Sequence, residues 1–92
     1  MFGRKVKVTR GRMTKEQLNA VIAAGHVQGS KSEFKLDCWF VPIERHVAKA
    51  LPDYIDLEDG TEVAVVYSQH FGETSLCIPN RPGDKSNIII IG

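Results

Sequence analysis

The chain has 92 residues, 42% of them apolar and 25% charged, with a net charge of +1 and two cysteines. That length supports a single domain spanning residues 1–92, because two halves would each bury too little surface to stand alone. The balance is that of a globular protein, far from the polar composition of disordered chains. No window approaches the roughly 18 apolar residues of a membrane span, and no apolar run with a small-residue cleavage site follows the basic start. The expectation is a cytosolic protein, with Cys38 and Cys77 as reduced core residues.

Charge is distributed unevenly. Six of the 12 basic residues, Arg4, Lys5, Lys7, Arg10, Arg12 and Lys15, precede the first acid, Glu16. Five of the 11 acids, Asp53, Asp56, Glu58, Asp59 and Glu62, fall within ten residues. One end is basic and one turn acidic, and it is this division that bears on partners.

In chain order, Lys5 to Thr9 alternates charge with Val6 and Val8, the period of a strand with Lys5 and Lys7 outward. Gly11 is expected to end it. Thr14 opens a helix with a capping box to Gln17, Glu16 in the first turn, and Met13 placed to staple onto Leu18. Leu18, Val21 and Ile22 form the inner face, and Gly25 is the expected left-handed terminator. His26 to Ser32 reads as a loop.

Phe34 to Val41 alternates Phe34, Leu36, Cys38 and Phe40 with Lys35, Asp37, Trp39 and Val41, predicting one well-covered strand. Pro42 suits the first position of a second helix that turns Ile43, Val47, Ala50 and Leu51 inward and stops before Pro52. Tyr54 to Glu58 and Thr61 to Tyr67 flank Asp59-Gly60, a dipeptide of tight hairpins in which both residues have positive φ. Two strands follow, Thr74 to Ile78 and Asn87 to Ile91, parted by Pro-Asn-Arg-Pro-Gly. The four consecutive isoleucines of the last strand are expected inside the sheet, since an exposed edge of that kind aggregates. The predicted order is β-α-β-α-β-β-β-β: an α+β fold with a mostly antiparallel sheet and two helices on one face.

No constellation for chemistry emerges from the residue types. A thiol enzyme needs an accessible cysteine beside a histidine, but Cys38 and Cys77 alternate with large apolar residues, and His26, His46 and His70 stand alone. There is no Cys-x-x-Cys or His-x-x-x-His pair for zinc, no glycine-rich phosphate loop, and no calcium-loop spacing in Asp56 to Gly60. Acids at a hairpin tip are solvated and lack a pocket to raise one carboxyl. The expectation is a non-enzymatic protein with no catalytic residue, metal, cofactor, small-molecule substrate or membrane partner.

The N-terminal basic stretch carries two readings of about equal weight. Arg4, Lys5, Lys7, Arg10, Arg12 and Lys15, extended by Lys31 and Lys35, would form a stripe that meets phosphates or an acidic protein surface. Alternatively, the lysines of an edge strand only prevent edge-to-edge pairing. Trp39 and Phe40 are expected in the core rather than as a stacking platform.

Over its whole length, from GRKVKVTRGRMTKEQLNAVIAAG through DLEDGTEVAVVY to SNIIIIG, the chain resembles the small phage anti-CRISPR proteins, in particular those that disable the type I-F RNA-guided surveillance complex. The resemblance implies an inhibitor that binds the Cas proteins and guide RNA of that ribonucleoprotein and blocks target DNA. The alternative is a stand-alone nucleic-acid-binding regulator that uses the basic strand directly.

Overall fold

The computed structural model describes residues 7–67 and 74–90. Among these residues it is an α+β fold: two helices and a six-stranded, mostly antiparallel sheet. In chain order the elements are β1 (Arg10–Met13), α1 (Lys15–Gly25), β2 (Glu33–Lys35), β3 (Cys38–Ile43), α2 (Arg45–Lys49), β4 (Tyr54–Leu57), β5 (Glu62–Tyr67) and β6 (Thr74–Pro79). The sheet order is β1-β4-β5-β6-β3-β2, with β1 and β4 parallel and every other neighbouring pair antiparallel.

The first strand lies further along the chain than its alternation predicts. Lys7 to Thr9 is not strand, and Lys5 and Val6 lie outside the described residues. Pairing begins at Arg10, opposite Tyr54. A reciprocal clamp sets this register. The Thr9 N–H and hydroxyl both donate to Asp53 Oδ2, at 2.8 and 3.2 Å, and the Asp53 N–H donates to Thr9 Oγ1 at 2.9 Å. Gly11 sits inside β1 and does not break it; a Cβ there would stand 2.9 Å from Pro52 Cγ, so close approach to Pro52 accounts for the glycine.

Helix α1 starts as its sequence dictates: Thr14 accepts from the Gln17 N–H, and the Gln17 side chain accepts from the Thr14 N–H. Its end differs. Gly25 is the last helical residue, and His26 follows in extended conformation. Glycine is needed there because a Cβ would lie 2.8 Å from Val47 Cγ1, so close approach rather than left-handed backbone selects it.

The predicted strand from Phe34 to Val41 is instead a hairpin. It is broken at Leu36-Asp37, which have φ of 54° and 61°, the type I′ geometry. Apolar alternation runs straight through these two residues and conceals the turn. Pro42 and Ile43 continue β3 and do not begin a helix; α2 is short, five residues that follow Glu44 without a side-chain cap bond, with Ala50 exposed beyond it. The hairpin at Asp59-Gly60 is present, but only Gly60 has positive φ, because a type I turn closed by Leu57 C=O and the Gly60 N–H precedes a one-glycine bulge.

Strand alternation divides the buried residues between two faces. On one, Leu18 and Ile22 of α1, Ala48 of α2 and Leu51 pack with Val41, Ile43, Ile55, Leu57, Val63, Val65 and Leu76. On the other, Cys38, Tyr54, Ala64 and Cys77 meet Val8, Phe40, Val66, Ile88 and Ile90. The expectation that the final isoleucines form an inner strand fails for the described residues. Residues 87–90 are not strand, and Ile89 is 84% exposed. Ile88 and Ile90 lie over the second face, anchored by the Tyr54 hydroxyl, which donates to Ile88 C=O at 3.1 Å and accepts from the Ile90 N–H at 2.8 Å. Among the described residues this second cluster is thus covered in part by a segment whose alternate residues turn inward.

Candidate interaction surface

The parallel pairing of β1 with β4 determines what becomes of the charge pattern. It lays the basic stretch beside the acidic hairpin, with Arg12 opposite Asp56. Arg10 bonds Asp56 through Nε at 3.2 Å and Nη2 at 2.6 Å, and its Nη2 also reaches Glu62 at 2.6 Å. Its guanidinium stacks 4.8 Å from the centroid of the Tyr54 ring. The bonds to these acids raise the Arg10 pKa above its ordinary range, and the bond from Arg10 holds the Asp56 carboxyl below its own. The Glu62 side chain is only 12% exposed, so this acid is not a solvated hairpin residue but an anion kept in place by arginine.

Lys15 is engaged in the same way. Its Nζ meets Asp59 at 2.8 Å, and its backbone N–H donates to Glu58 Oε1 at 2.8 Å. The acidic tip therefore caps the first turn of α1, where unpaired N–H groups favour negative charge. Asp59 also accepts from the Thr61 N–H at 2.9 Å. Bonds from Lys15 and Thr61 lower its pKa, and the bond to Asp59 raises that of Lys15.

Two cations of the expected stripe are thus consumed internally. Among the described residues, Lys7, Arg12 and Lys31 are exposed and make no side-chain hydrogen bond or ion pair. Arg4 and Lys5 lie outside the described residues. Lys31 and Lys35 belong to the opposite edge of the sheet, five strands from β1 and roughly 24 Å away at the usual strand spacing. Lys35 pairs with Glu33 at 2.9 Å. The eight residues do not form one stripe: Arg10 and Arg12 lie on β1, with Lys7 before it and Lys15 at the start of α1, while Lys35 lies on β2 with Lys31 before it.

The β2 edge carries a feature that the alternation pattern concealed. Phe34 and Trp39, 47% and 43% exposed, face each other across the hairpin with ring centroids 5.1 Å apart. Trp39 Nε1 donates to Asn80 Oδ1 at 3.2 Å, which orients the indole. Trp39 is therefore not in the core. Phe40 is half-buried on the other face of the sheet. The Leu36-Asp37 turn breaks one apolar alternation into two strands and so makes Phe34 and Trp39 cross-strand neighbours.

Cys38 and Cys77 are free and fully buried. Burial and a hydrogen bond with Cys38 push the Cys77 thiol up to about 12, the reverse of an activated nucleophile. Among the described residues, no three His, Cys, Asp or Glu side chains are grouped to hold a metal, and no helix is long and apolar enough to cross a membrane. An open groove of about 550 Å³ runs between Arg12, Met13, Gln17 and the Asp56 to Gly60 turn. No family model, curated protein or solved structure matches the chain.

Proposed function

We propose that this protein is a non-enzymatic inhibitor of anti-CRISPR type, acting in the bacterial cytoplasm by docking on the Cas proteins and guide RNA of a type I-F surveillance complex and blocking target DNA. The observation that carries this reading is the mixed charge of the β1 edge. Exposed, unpaired Arg12 stands on β1, with exposed Lys7 three residues before the strand begins, and the neighbouring β4 presents Asp56 and leads into the Glu58 to Gly60 turn. A mimic of DNA would offer acids alone, and a general nucleic-acid binder would offer a continuous cationic track. An edge with both signs suits a surface composed of RNA phosphates and the basic side chains that hold them.

The roles within the basic stretch are unequal. Arg10 and Lys15 hold the fold together, whereas Lys7 and Arg12 are available to phosphates. Affinity capture with the tagged protein from lysate containing the surveillance complex tests this, with and without nuclease. The intact complex is expected to co-purify and to lose target-DNA binding. The double reversal Lys7→Glu/Arg12→Glu is expected to weaken capture about tenfold or more while the domain stays folded. Capture of nuclease-sensitive RNA or DNA alone would transfer the function to a stand-alone nucleic-acid binder. Capture that is indifferent to the double reversal would remove this edge from the interface.

A further inference from the structure

We propose that the protein self-associates through β2, two copies pairing antiparallel about Phe34 so that their sheets join edge to edge. Strand β2 is a sheet edge of three residues, Glu33-Phe34-Lys35. The two-residue type I′ turn at Leu36-Asp37 makes Lys35 and Cys38 the pair that exchanges backbone bonds, and the next pair, Phe34 and Trp39, the one that does not. The Phe34 N–H and C=O therefore point away from β3, and among the described residues they take no partner beyond the hairpin. Opposite the same residue of a second copy, they form two N–H to C=O bonds.

The charges of this edge are self-complementary in that register. With Phe34 opposite Phe34, Glu33 of each copy faces Lys35 of the other. A slip of two residues in either direction sets Glu33 on Glu33 or Lys35 on Lys35, so the charges select one alignment. The Glu33 and Lys35 side chains, 65% and 55% exposed and already bonded within one chain, would become a four-charge array across the dyad. Above it, both Phe34 rings and both Trp39 rings fall on one face of the joined sheet and cover each other's exposed edges. An edge protected against pairing carries charges of one sign or a proline; this edge carries charges that match their own copy.

Sedimentation velocity on the full chain from about 1 to about 500 μM tests the pairing, in a range suited to a small interface. A concentration-dependent dimer is expected. Glu33→Lys places lysines opposite each other twice and should weaken the dimer about tenfold or more, as Lys35→Glu should with glutamates. The double exchange Glu33→Lys/Lys35→Glu should restore dimerisation to within about threefold of the original. An equimolar mixture of the two single variants should form a heterodimer that neither forms alone. A chain that stays monomeric throughout, or single variants that dimerise unchanged, would overturn the proposal. So would a double exchange that does not restore pairing. A monomer whose Trp39 fluorescence is quenched by oligouridine would assign the aromatic edge to unpaired bases instead.

Discussion

A methyl group added at Gly25, the last residue of α1, would stand 2.8 Å from Val47 Cγ1 of α2. Gly25→Ala removes a flexible residue from a helix end, a gain of up to about 1 kcal/mol, but forces Val47 or the helix to move, at a cost of about 1–3 kcal/mol. The clash should win, and the urea midpoint of Gly25→Ala should fall by about 1–2 kcal/mol equivalent. The conservative change Val47→Ala in the same chain should relieve part of that loss. Arg10, bonded to Asp56 and Glu62, has a structural task, whereas Lys7 and Arg12 on either side of it in sequence stay exposed.

Among the elements, the β2–β3 hairpin carries a local conflict. Leu36 sits at φ 54° and is 69% exposed, so it bears the cost of left-handed backbone without the return of burial. Asparagine tolerates that conformation, and Leu36→Asn is expected to stabilise the protein by about 0.5–1 kcal/mol, measured as a rise in urea midpoint. An unchanged or lower midpoint would mean that Leu36 packs against more than the turn itself. The opposite hairpin has no such conflict: Gly60 takes the left-handed position, and Asp59 bonds the Thr61 backbone. The amino-acid pattern accordingly locates this hairpin, although it does not give the turn type, since only Gly60 and not Asp59 has positive φ.

For the whole molecule, the meeting of β1, the α1 start and the β4–β5 turn predicts acid sensitivity. Asp56 and Asp59 both have carboxyls held below their ordinary range, by Arg10 and by Lys15 with Thr61. A depressed folded-state pKa contributes stability that is present above the unfolded value, near 3.9, and is lost as pH falls through the folded value. Stability should therefore decline from about pH 5 toward pH 2. In Asp56→Asn/Asp59→Asn that decline should be shallower, with a lower starting stability at neutral pH. Urea midpoints across that range give the slope, and an unchanged slope would mean that these pairs do not couple to folding.

Local chemistry in the amino-acid sequence was sufficient for the α+β class, the Thr14–Gln17 capping box, the β4–β5 hairpin and the burial of both cysteines. Each of these depends on residues within a few positions, or on apolar alternation with one reading. Tertiary structure decided the rest. Gly11 and Gly25 answer to Pro52 and Val47, which no local rule connects to them. Ile88 and Ile90 are covered by lying across a sheet face, a solution that period and hydropathy do not distinguish from a strand. The basic stretch and the acidic turn were legible as separate patches about 40 residues apart. Only the parallel pairing of β1 with β4 brought them together, since Coulomb attraction depends on distance in space, and it turned two of the cations into internal partners while leaving Lys7 and Arg12 exposed.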